Sequence, residues 1–215
     1  MPLILNPYSF VSLSLSFQTS ADSDQSTITC PVVAPNDIGV LFDTATNGTT
    51  PFPSNAIPSG FTQLQTSTLT SFVYRSTLSY KVFSGSEDGS ILSGLTGTLS
   101  MAKILLVFRP TFAVANVGVS TFLQETTQNA PSSQLIAASG QAAPLVRLAV
   151  CINGAAASVP SFTSGTFDTT LTRTGSDSGM RVGYAIQNAS PSDNTVATGD
   201  NGNGNCLISG WMNFS

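Results

Sequence analysis

Two hundred and fifteen residues, 41% of them apolar, are enough chain to bury a substantial core, so the sequence predicts a domain that folds by itself. Only 8% of residues are charged, and 7 Lys and Arg against 11 Asp and Glu leave a net charge of -4, which excludes the basic field needed to hold nucleic-acid phosphates. Histidine is absent, which removes His-dependent triads, His zinc ligands and the usual proton carrier near neutral pH, so neither enzyme chemistry nor a cofactor is expected.

The amino-terminal stretch MPLILNPYSFVSLSLSF has no Lys or Arg and mixes serine with apolar residues. A secretion signal would pair a basic start with a solid apolar block, so no export is expected. Val11, Leu13, Leu15 and Phe17 alternate with Ser12, Ser14 and Ser16, which predicts a strand near 9–18 within an amino-terminal strand or arm of residues 1–25. Further strands are predicted at 26–30, 38–43, 61–66, 71–83 and 103–109, then at 117–125, 133–138, 145–152, 167–173, 180–187 and 206–214. Turn-rich pieces separate them, among them TNGTTPFPSNAIPSG, SGSEDGS, RTGSDSG and TGDNGNGN, where Gly, Pro, Asn and Asp supply the backbone conformations of tight turns. The apolar run Ile104–Phe108 is far shorter than the roughly 20 residues of a membrane-spanning helix. Helical spacing is missing throughout. The expected fold is all-β, a jelly-roll-like antiparallel β-sandwich with 31 Ser and 26 Thr supplying a hydroxyl-rich surface.

The chain also repeats weakly on itself at an offset of about 104 to 107 residues. IGVLFDTATNG aligns with LVRLAVCING, PSGFTQL with TSGTFDTTL, Tyr80 with Tyr184, and KILLVFRP with CLISGWMNF. One copy alone would leave an apolar sheet face uncovered, so the two pseudo-repeats, about 26–115 and 130–215, are expected to pack as one sandwich over 26–215.

Candidate sites are sparse. Asp200, Asn201, Asn203 and Asn205 could offer oxygens to an ion or a glycan, but they include one carboxylate and no EF-hand spacing, so a plain Gly-Asn turn is expected and no metal site. Trp211 is the one indole and could stack on a sugar ring, whereas Tyr80 and Tyr184 sit in apolar strands and are expected in the core. Glu87 and Asp88 are adjacent acids in a turn, expected to be solvated. Cys30, Cys151 and Cys206 form no CxxC pair and are expected to be buried thiols. Asn47, Asn188 and Asn213 lie in glycosylation sequons, which have meaning only in a secreted protein.

The order of Ile38–Asp43 (IGVLFD), Pro58–Thr62 (PSGFT), Leu78–Val82 (LSYKV), Gly85–Gly89 (GSEDG) and Leu106–Arg109 (LVFR) resembles a β-sandwich module of tailed-bacteriophage virion proteins, also seen in some secreted bacterial proteins. There the corresponding pieces look like GDLLV, PAGWT, YYKVA, SEPGS and VAYRG, and Phe61 stands where that family favours Trp. The resemblance extends over about 26–214 and implies a structural or adhesive role without catalytic residues. It implies a head decoration or tail-associated protein of the virion, assembled in the host cytoplasm, whose partners are copies of itself and other virion proteins. The alternative is a glycan-binding adhesin that contacts a host surface glycan. A hydrolase is the class least compatible with scattered acids and no histidine.

Overall fold

The computed structural model describes residues 13–69, 73–127, 132–153, 160–198 and 205–215, and every helix or strand among them is a strand. The first half of the chain forms β1 (Leu15–Ser23), β2 (Thr27–Thr29), β3 (Ile38–Thr46), β4 (Thr62–Leu69), β5 (Tyr74–Val82), β6 (Ile91–Ser93) and β7 (Ser100–Pro110). The second half begins with β8 (Val117–Val119), β9 (Leu123–Thr127), β10 (Ser133–Ile136), β11 (Leu145–Asn153) and β12 (Phe162–Ser164). It ends with β13 (Thr169–Thr174), β14 (Gly179–Gln187), β15 (Asn194–Thr198) and β16 (Asn205–Phe214).

Two large antiparallel sheets carry the fold. One has the order β1-β7-β3-β5-β4; the other has the order β13-β14-β11-β16-β8, with β9 also paired to β16. Because side chains alternate along a strand, the even-numbered apolar residues of β3, β5, β7, β11, β14 and β16 face one shared core, joined by Leu15 and Phe17 of β1. Phe42, Leu78, Leu106 and Phe108 from the first sheet meet Leu148, Val150, Tyr184 and Ile208 from the second. Phe17 of β1 stacks on Tyr184 with ring centres 5.0 Å apart, and Phe108 meets the same ring edge-on at 5.3 Å.

Two small sheets cover the outer faces. The β2-β6 pair places Ile28 and Leu92 against Leu41, Leu105 and Val107, and the β10-β15-β12 sheet places Ile136 and Val196 against Ala149 and Leu207. Phe61, where the resembled family favours Trp, lies in the first of these layers with its ring edge toward Phe83. With both sides covered, every residue of β3 and of β11 is buried, which explains why IGVLF and LVRLAVCI do not alternate in polarity.

The antiparallel all-β sandwich expected from the alternation is therefore the fold. Its strand order keeps β3, β4, β5 and β7 in one large sheet and β11, β13, β14 and β16 in the other. Val40 lies opposite Tyr80 and Leu148 opposite Tyr184. Four details differ from the sequence reading. Of the strand expected at 9–18, residues 9–12 lie outside the described residues, and the described strand β1 starts at Leu15 and runs on to Ser23, pairing with β7. The stretch 117–125 is two strands, broken at Ser120–Phe122. β6, β12 and β15 are too short and too weakly patterned to have been predicted. Strand β3 continues beyond the expected 38–43 through Thr44, Ala45 and Thr46, a stretch that reads like the start of a turn.

Candidate functional site

A concavity of about 180 Å³ lies where the edge of the second large sheet meets β10. Its lining comes from three places: Ser120, Thr121 and Leu123 around the β8–β9 break, Leu135–Ala137 at the end of β10, and Ser209–Trp211 of β16. Alternation along β16 sends Cys206, Ile208 and Met212 into the main core, so Ser209 and Trp211 face the opposite way, into the pocket. Gly210 lets the β8–β9 turn lie directly on the strand, since a side chain there would meet the Phe122 ring and the Ser120 hydroxyl at 2.7 Å.

The walls are fixed by hydrogen bonds. The Trp211 indole Nε1 donates to the Ala137 carbonyl at 2.9 Å, the Trp211 amide donates to Ser120 Oγ at 2.9 Å, and the Ser120 amide donates to the Trp211 carbonyl at 3.0 Å. Ser209 Oγ donates to Gln134 Oε1 at 2.6 Å, and Gln134 Nε2 donates to the Leu207 carbonyl at 3.1 Å. Two leucines at the rim stay open to solvent, Leu123 at 45% and Leu135 at 51% exposure, with Val119 close by in sequence at 42%. No ionisable side chain lines the pocket. Its chemistry is that of an aromatic and aliphatic surface with hydroxyls at its edge, suited to an apolar group or to the face of a sugar ring.

Of the residues singled out from sequence, Trp211 is in this pocket. Asp200, Asn201 and Asn203 lie outside the described residues. Asn205 opens β16 with its backbone opposite Asn153 and Thr127. Six residues of strand separate it from Trp211, roughly 20 Å, so the two do not share a site. Among the described residues, no group of three or more His, Cys, Asp or Glu side chains is placed to hold a metal ion. Leu123, Leu135 and Gly210 are not legible as pocket residues in the sequence, because VSTFL looks like an uninterrupted strand and the close approach of the turn to Gly210 has no local signal.

The other singled-out residues have structural partners. Tyr184 is buried in the core and Tyr80 packs partly buried against it. Glu87 is not a solvated turn residue. It pairs with Lys81 at 2.8 Å and accepts from the Ser84 and Gly85 amides and the Ser84 hydroxyl. Burial opposes its charge, but Lys81 and Ser84 prevail and hold the carboxyl down at about 2. All three cysteines are free and buried. Burial is the main cause that raises the Cys30 thiol to about 11, and it also raises Cys151 and Cys206. The Asn188 amide is spent on both backbone groups of Leu15, and Asn47 Nδ2 donates to the Pro51 carbonyl.

The deepest charges are Asp43 and Lys103, opposite each other on β3 and β7, both fully buried and 2.5 Å apart. Leu95 N donates to Asp43 Oδ2 at 2.7 Å and Lys103 Nζ donates to the Leu95 carbonyl at 2.8 Å, so the pair pins the segment after β6 to the sheet. Burial raises the Asp43 carboxyl to about 6 against the opposing pull of Lys103. Burial likewise lowers the Lys103 ammonium against the pull of Asp43.

No family model, no curated protein and no solved structure matches this chain. Among the described residues, no helix is long and apolar enough to cross a membrane.

Proposed function

We propose that the protein is a structural component of a tailed-bacteriophage particle, a head decoration or tail-associated protein, acting by protein–protein contact with copies of itself and other virion proteins. The observation that carries this is the pair of edge strands β4 and β13, which occupy the same position in the two large sheets, each next to a long inner strand and without a strand partner on the other side among the described residues. Thr62, Gln63, Thr66 and Thr68 of β4 and Thr169, Thr170 and Thr172 of β13 are exposed. Free-standing β-proteins defend such edges with lysine, proline or a cover. Here β4 has no charge, and the one charge of β13, Arg173, is turned to Asp22 and Asp24. Undefended edges rich in hydroxyl and amide groups suit many modest hydrogen bonds repeated over many copies. On this proposal the protein resides in the virion, assembles in the host cytoplasm and carries out no turnover.

A second reading, a glycan-binding adhesin on a virion or bacterial surface, is favoured by one observation: the half-buried Trp211 indole in a pocket edged by hydroxyls. Lysine substitutions at the two edges, Thr66→Lys and Thr170→Lys, separate the two. The structural proposal expects a folded protein that no longer enters particles. Normal incorporation of the doubly substituted protein with unchanged particle stability would refute it, and loss of host adsorption on Trp211→Ala from otherwise normal particles would support the adhesin.

A further inference from the structure

We propose that Asp43 and Lys103 join their side chains in an isopeptide bond once the chain has folded, Lys103 Nζ forming an amide with Asp43 Cγ and one water leaving. The two residues lie directly opposite each other on the neighbouring strands β3 and β7, and neither side chain has any exposure. Nζ stands 2.5 Å from Oδ1, so it is no more than one C–O bond length further from Cγ, close to the roughly 3–3.5 Å from which held groups react. The segment after β6 lies directly on the pair. A side chain at Gly94 would collide with Asp43 Oδ2 and come within 3.3 Å of Lys103 Nζ.

Condensation needs an uncharged amine and a carboxyl carbon prepared for attack. Burial raises the Asp43 carboxyl and lowers the Lys103 ammonium, against the attraction between them, so the interior favours passage of a proton from Nζ to the carboxyl. The Nζ lone pair then attacks Cγ. The Leu95 amide, 2.7 Å from Oδ2, steadies the oxygen on which negative charge develops. Oδ1 leaves as water, carrying the acid proton and one proton of the amine, and nothing is oxidised or reduced. In the product Oδ2 is the amide oxygen and still accepts from Leu95 N, while the proton left on Nζ donates to the Leu95 carbonyl, 2.8 Å away in the ion pair. The bond thus removes two buried charges and leaves the polar atoms of the group paired. It also closes a loop between residues 60 positions apart and fastens β7, which lies between β1 and β3, to its neighbour, a cross-link that constrains the unfolded chain.

The test is to weigh the purified, denatured full-length protein by mass spectrometry and then digest it with trypsin. The proposal expects an intact mass lower than that of the sequence by one water, no cleavage after Lys103, and a branched peptide joining the piece that holds Lys103 to the piece that holds Asp43. Lys103→Arg, which keeps the positive charge but has no amine to condense, should show the full mass of its own sequence. An unsubstituted protein of full mass, cut normally after Lys103, would overturn the proposal and leave the pair ionic. A missing water together with normal cleavage after Lys103 would also overturn it, because the water would then have left another site, such as the Asp88–Gly89 turn. The measurement needs no particle, so its failure leaves the proposed assembly role standing and the failure of that role leaves this one standing.

Discussion

Glu87 shows how a single acidic residue in this weakly charged chain organises a turn. Its carboxyl sits at about 2 against an ordinary 4.5, so the unfolded chain binds the proton first as pH falls. The stability that the charged form contributes is complete above 4.5 and is lost as pH drops toward 2. Glu87→Gln should therefore lower the unfolding temperature at neutral pH, and the difference from the unsubstituted protein should vanish on acidification across that window. A difference that stays constant with pH would contradict the role given to its charge. Asp43 and Lys103 pose a different problem, because breaking a buried ion pair costs about 3–5 kcal/mol while replacing both partners by apolar residues is often neutral. Here the Leu95 amide and carbonyl also depend on the pair, and each buried group left unpaired costs about 1–3 kcal/mol. Lys103→Met should be strongly destabilising, and Asp43→Leu with Lys103→Met should recover only part of the loss in denaturant unfolding. Both effects were invisible in the sequence, where Asp43 and Lys103 are 60 positions apart.

At the scale of elements, the long strands were legible and the short ones were not. The first six residues of β3, all of β7 from Lys103 to Arg109 and most of β11, β14 and β16 carry continuous or alternating apolar residues, because those strands are held by burial on one or both faces. β6, β12 and β15 owe their existence to partners far away in sequence, as when Ile28 of β2 pairs with Leu92, and three to five residues cannot announce such a partner. The same limit hid most of the pocket. Trp211 stands out by type, but its surroundings depend on the break between β8 and β9 and on Gly210 allowing Phe122 to approach. Gly210→Val places branched carbon where the Phe122 ring and Ser120 hydroxyl now lie, and overpacking of this kind costs about 1–3 kcal/mol. The variant should lose stability by that order in chemical denaturation and should alter Trp211 emission. A variant with unchanged stability and emission would mean that the turn moves away freely.

For the molecule as a whole, four layers are stacked so that the central strands of both large sheets are covered on each side, and the two halves of the chain meet in one shared core. The all-β sandwich is legible in the sequence because alternation and turn composition are local properties, whereas the outer layers come from pairings between distant short segments. Among the described residues, the outer edges of β4 and of β13 have no strand partner, and the proposed assembly has those edges meeting other chains. The most direct test is to purify the particles from infected cells and measure this protein in them by mass spectrometry, together with electron-microscopic imaging of particles that have or lack it. The account predicts many copies per particle and a layer or tail density that is missing when the gene is removed. Abundant protein in the lysate with none in purified particles, and particles of identical density without it, would contradict the proposed role.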